Sequence, residues 1–136
     1  MTPALISGIL RSPVTAFVAR LLLVFMFLGS ALSKITDFNA AQAEMAHFGL
    51  HPTWLFAAVT IFTQAVGGLL ILFNRVTWLG AGALAVFTVL TIPIAHHFWT
   101  MEGQMAQIEF YFVMEHLSVI GGMMLVAILA ERTRAA

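Results

Sequence analysis

Four long apolar segments are packed into 136 residues, and nearly every charged side chain lies at their ends or at a few recurring positions inside them. Crossing the hydrocarbon core of a bilayer takes about 20 apolar residues at about 1.5 Å rise each. Four stretches meet that length, near residues 14–35, 53–73, 76–98 and 108–130. A backbone in hydrocarbon must satisfy its own hydrogen bonds, so segments of this kind become helices. The expected fold class is therefore all-α: a four-helix transmembrane bundle over residues 1–136, read as one domain. No repeat of 20–50 residues and no linker composition divides it.

Composition excludes several function classes. The chain is 61% hydrophobic and 9% charged, far from the roughly 25% charged usage of a soluble domain. Formal charge is zero with six Lys plus Arg, which leaves no basic patch for nucleic acid. There is no cysteine, and hence no disulfide, thiolate metal site or thiol catalysis within the chain. A redox role would need a bound cofactor or a partner protein.

Tryptophan gathers at membrane–water boundaries, and Trp54, Trp78 and Trp99 all fall at expected span ends. With four spans both termini share one side, and that side carries Arg11, Arg75, Arg132 and Arg134, with Arg20 close by. Lys34 stands opposite. The positive-inside rule then predicts cytoplasmic termini in a plasma membrane. The first span also imitates a signal peptide, with Arg11 and Arg20, the run Leu21–Leu28 and the small residues Gly29, Ser30 and Ala31, but it is read as a retained span.

Between the first two spans, Asn39 and Gln42 have the spacing of a capping box, and Gly49 supplies a stop. Phe38, Ala41, Met45 and Phe48 fall on one side at helical spacing, which predicts a short amphipathic helix on the surface.

Polar residues inside the spans are the most informative, because on insertion scales a charged side chain at mid-membrane costs about 2.5–3.5 kcal/mol. Tyr111, Glu115, Ser118 and Gly122 follow each other at steps of four, three and four, and this stripe is expected to face the bundle interior. Thr60, Gln64, Gly67 and Gly68 form a similar stripe in the second span, where glycine permits close helix approach. In the first span Phe27, Ala31 and Lys34 continue from Arg20 on one face. In the third, Thr88, Thr91 and Ala95 lead to His96 and His97, with Pro93 removing a backbone donor. Glu115 lies about seven residues below the outer boundary, roughly 10 Å, and His96, His97, Lys34 and Glu109 lie nearer the surface. The candidate ligand-binding residues are Lys34, Gln64, His96, His97, Trp99, Tyr111, Glu115 and His116, gathered about one outward-opening cavity. Adjacent histidines diverge on a helix and no His-Glu-x-x-His spacing exists, so no metal site is expected.

The chain resembles DoxX-type inner-membrane proteins over essentially its whole length. The segments that carry the resemblance are Arg20–Leu23 leading to Gly29–Ile35, Gln64–Leu72, His96–Trp99 and Glu115–Gly122. It implies a four-helix membrane bundle and, by analogy with members associated with thiosulfate:quinone oxidoreductase, a link to quinone and sulfur redox chemistry. Members often carry a glutamate where this chain has Gln64, so a proton role for that acid does not transfer. The expected function is that of a redox-accessory subunit which binds a quinone or similar apolar small molecule beside a redox partner protein. The alternative is a small-solute or lipid transporter, or a membrane scaffold for partner proteins, acting without catalysis. Four spans lack the inverted repeat of a self-contained transporter, so that alternative implies a homo-oligomer. No nucleotide loop or nucleophile triad supports a self-sufficient enzyme.

Overall fold

The computed structural model describes residues 2–135, and all of its regular structure is helical. Four helices are long and apolar enough to cross a membrane: α2 (Pro13–Thr36), α4 (Thr53–Leu72), α5 (Thr77–Ala95) and α6 (Gly103–Ala135). Two short helices lie outside the spans, α1 (Ala4–Arg11) and α3 (Phe38–His47), and a 3₁₀ turn covers Phe98–Thr100. α1 is an addition to the expected elements. Its Leu5, Ile6, Ile9 and Leu10 recur at i, i+1, i+4 and i+5, which leaves Ser7, Gly8 and Arg11 on the other side.

The helix limits lie within about three residues of the expected spans except at α6, which runs over Gly103–Ala135 where the span is expected at 108–130. Nothing in Gly103–Gln107 breaks a helix after Gly103 itself, whose φ of +64° makes the turn into it. The third span departs in another way. α5 ends at Ala95, two residues after Pro93, so His96 and His97 lie in the non-helical stretch before the 3₁₀ turn rather than on the helix. The cap of α3 is also displaced: Asp37, not Asn39, is the N-cap, its Oδ1 accepting from the Ala40 amide at 2.9 Å. Asp37 wins because it is the residue at which the chain leaves α2, where its non-helical φ aims the carboxylate back at the first free amides. Of the amphipathic face expected for α3, Ala41 and Met45 are buried against Ala57, whereas Phe38 stays exposed.

Packing runs in the order α2, α4, α5, α6, with α2 and α6 meeting only weakly across the remaining seam. The central position of α4 follows from its adjacent glycines, which are buried on different sides. A Cβ on Gly68 would lie 2.6 Å from Leu28 of α2, and one on Gly67 2.9 Å from Leu84 of α5. On α5 the counterpart is Gly80, where a Cβ would come within 2.7 Å of the Gly67 carbonyl oxygen. The two backbones therefore touch, which only small residues allow; between membrane helices such packing supplies the attraction that the hydrophobic effect cannot. Val24, Phe27, Ile71, Leu84 and Met123 complete the core, with the Phe27 ring edge-on to Phe87 at 6.5 Å.

The α4–α5 connection spans four residues, with Asn74 and Val76 in the left-handed region and Asn74 Oδ1 accepting from the Thr77 hydroxyl at 2.9 Å. Replacing Gly80 by Ala forces a side-chain carbon against backbone that cannot yield. The expected loss is about 1–3 kcal/mol of stability in detergent, while Gly121→Ala, with nothing within 4 Å of its Cβ position, is expected to be neutral. Thermal unfolding of the two variants side by side checks the pair.

Candidate functional site

Three chain ends converge at the end of the bundle that carries α3: the C-terminus of α3, the segment after α5, and the first turns of α6. Between them lies a cavity of about 550 Å³, lined by His47, Phe48, Ile94, Ala95, His96, His97, Met101, Met105 and Glu109. This volume lies within the range of small-molecule sites. Its position follows from α5 stopping at Ala95: the chain then needs the 3₁₀ turn to reach α6, and the space left beside α3 is the cavity.

His96 is the best-held side chain in that wall. Its Nδ1 lies 2.6 Å from Glu109 Oε2, and both side chains are largely buried. Its ring packs edge-on to His116, with centroids 4.6 Å apart, and tilts against Phe112 at 5.4 Å. His116 in turn donates from Nδ1 to the Phe112 carbonyl at 2.7 Å. Next to this group, His97 Nδ1 is buried with no hydrogen-bond partner among the described residues. A buried imidazole nitrogen left unpaired costs about 1–3 kcal/mol. An aromatic layer covers the same end: Phe98 is edge-on to both Trp99 and Phe110, at 5.4 and 5.3 Å.

The structure separates the other candidates from this cluster. Lys34 pairs with Glu44 of α3 at 2.8 Å and donates to Ser30 Oγ at 3.2 Å, so its work is to tie α2 to α3. Gln64 is buried in α4 at 6% exposure, its Oε1 without a partner among the described residues. Trp99 reaches His97 edge-on but is itself exposed. The stripe of α6 is the clearest correction. Tyr111, Glu115 and Ser118 are exposed, with only Gly122 packed inward against Leu23. Periodicity established that the four share a face; it did not establish which face, and α6 turns toward α5 the side that bears Glu109, His116 and Met123 instead. Glu109 and His116, seven residues apart, are therefore the inward pair, and the partner of Glu109 comes from 13 residues away across the turn. Sequence reasoning missed that pairing, along with His47 and Phe48, because loop geometry decides it. Among the described residues no group of three or more metal-ligating side chains is placed to hold an ion.

Four apolar spans with almost no chain outside them, and a mixed polar and apolar cavity at one end, define a small multi-pass membrane protein. The chain belongs to the DoxX family, whose model matches residues 15–97. It is 26% identical over 116 residues to the inner membrane protein YphA of Escherichia coli (strain K12), covering 85% of this chain and 83% of that protein. With inner membrane protein YqjF of the same strain it shares 33% identity over 115 residues, with the same coverage. No solved structure matches it significantly. The family match ends at His97, so it takes in the α3 and α5 walls of the cavity and leaves out the α6 wall that carries Glu109.

Removing the lysine that ties α2 to α3 tests the assignment of Lys34 to structure. Lys34→Ala is expected to cost about 1 kcal/mol or less and to speed amide exchange within Phe38–His47 by up to about fivefold. The exchange rates of α5 and α6 are expected to stay as they are.

Proposed function

We propose that this chain is an inner-membrane protein which binds a quinone or similar apolar small molecule in the cavity at the α3 end and serves as the accessory subunit of a redox partner. The observation that carries this reading is the His96–Glu109 pair in the cavity wall, with the imidazole nitrogens of His97 beside it. Carbonyl and hydroxyl oxygens are the groups such nitrogens bind, and Phe48, Ile94, Met101 and Met105 give an apolar ring something to lie against. In this reading His96 and His97 bind the ligand's oxygens, Trp99 closes the cavity edge, and His116 supports His96 from behind. Inner-membrane location is supported by the two relatives, each named an inner membrane protein. Cytoplasmic termini are supported by Arg75, Arg132 and Arg134 at the far end, which makes the cavity open outward.

Native mass spectrometry with quinone extraction, on protein taken gently from its membrane, tests this. One quinone per chain is expected, with affinity lowered about tenfold or more in His96→Ala and in His97→Ala. A wild-type chain that carries none, and takes up none from a short-chain benzoquinone titration, removes the reading.

A second reading, a scaffold that holds a partner or another copy without chemistry, is favoured by α6. Only 6% of its apolar window is buried, against 33% for α4, and Glu115 faces outward at membrane depth without an ion pair among the described residues. A carboxylate in that position gains from a neighbouring helix that covers it. Because the chain has no cysteine, Ser118→Cys reports directly. The scaffold reading expects a disulfide-linked species in membranes from Ser118→Cys and none from Val86→Cys on α5.

A further inference from the structure

We propose that Glu109 is a positioning residue: it holds a proton on Nδ1 of His96, which leaves Nε2 of that ring as the nitrogen through which the cavity exchanges a proton with its ligand. The proposal rests on the reading of the cavity as a ligand site. A neutral imidazole has one donor and one acceptor nitrogen, and which is which is set by the partners present. Here the partner of Nδ1 is a carboxylate oxygen at 2.6 Å. An ionised carboxylate only accepts, so the hydrogen of this contact sits on Nδ1. Nδ1–H is then common to both charge states of His96, and gain or loss of a proton is confined to Nε2.

Two further observations make Nε2 useful. It has no hydrogen-bond partner among the described residues, and it is not among the buried unpartnered atoms, so it keeps accessible surface on a ring that lines the cavity. The ring is also held on its faces and edges. Phe112 tilts against it and His116 lies edge-on at an interplanar angle of 67°. Turning the ring over would set a carbon against Glu109 and give up a charge-assisted hydrogen bond. His116 does not compete for the carboxylate, because its own Nδ1 hydrogen is committed to the Phe112 carbonyl. The titratable groups around His96 are Glu109 and His116 from α6, His97 from its own segment and His47 from α3.

The consequence concerns which ligands fit. A neutral His96 accepts from a hydroxyl at Nε2, and a charged one donates to a carbonyl from the same atom. A compound whose ring oxygen is carbonyl in one form and hydroxyl in the other is therefore held by one nitrogen in both forms. Quinone and hydroquinone are the chemical class that fits a mixed polar and apolar cavity of about 550 Å³ with this property.

The test uses the full chain in detergent micelles with ¹⁵N-labelled histidine, the His96 signals being assigned by their absence from His96→Asn. In the wild type, neutral His96 is expected to carry hydrogen on Nδ1 and to be bare at Nε2. In Glu109→Leu the hydrogen is expected to move to Nε2, the site free imidazole favours, while His116 keeps its Nδ1–H signature and reports that α6 is intact. A wild-type His96 that is bare at Nδ1, or one whose tautomer survives Glu109→Leu, overturns the proposal. In a titration with a short-chain benzoquinone and then its hydroquinone, both are expected to shift Nε2 and spare Nδ1, and a shift confined to Nδ1 also overturns it. If no ring responds to either compound, the quinone reading fails, whereas the tautomer measured in the ligand-free wild type decides the role of Glu109 by itself.

Discussion

Backbone contact between α4 and its neighbours is the constraint on which the rest of the molecule depends. Gly67 against Gly80 brings α4 and α5 together, and Gly68 against Leu28 and Val24 brings α4 to α2. Lipid tails are as apolar as leucine, so burial alone does not drive these helices together; close dispersion contact does, and it falls off within a fraction of an ångström. Once α4 is held in the middle, α5 must end where it does relative to α3. The cavity at that end follows from this geometry together with the stop of α5 at Ala95.

The cavity then draws its chemistry from segments that are not regular helix or are only beginning to be. His96 and His97 sit where α5 has just stopped, and Glu109 sits in the second turn of α6. Placing a titratable pair there resolves a conflict. Deep in hydrocarbon the pair would carry a large desolvation cost, and in open water it would gain little from proximity. At the helix ends it is partly shielded and still lines the cavity. Lys34 and Glu44 use the same level of the bundle for a mechanical purpose, to keep α3 against α2 and so to keep the cavity's third wall in place.

The outward turn of Glu115 changes how α6 is understood. With that carboxylate and Ser118 facing away from the other spans, α6 has one polar side committed to the cavity and another that faces lipid or a neighbouring protein. A helix with two polar sides is narrow in its apolar contact, which accounts for how little of it is buried in the single chain. It also shows the limit of reading a stripe. Steps of four, three and four place side chains on a common line, but the rotation of that line about the helix axis is set by neighbours far away in sequence.

Length and hydropathy by themselves determined the four long apolar helices and the all-helical class, because hydrocarbon leaves a backbone no alternative to helix. Gln64, Gly67 and Gly68 were legible as an inward stripe, since glycine and amide together mark a packing face. What only the tertiary structure decided was which partner each polar group found: Glu109 for His96, Glu44 for Lys34, Asp37 for the first amides of α3, and none within the chain for Glu115. Those outcomes turn on where Pro93 and Ala95 end a helix and on how far α6 rotates. Both are settled by the fit of one surface to another, a property that no local pattern of residues contains.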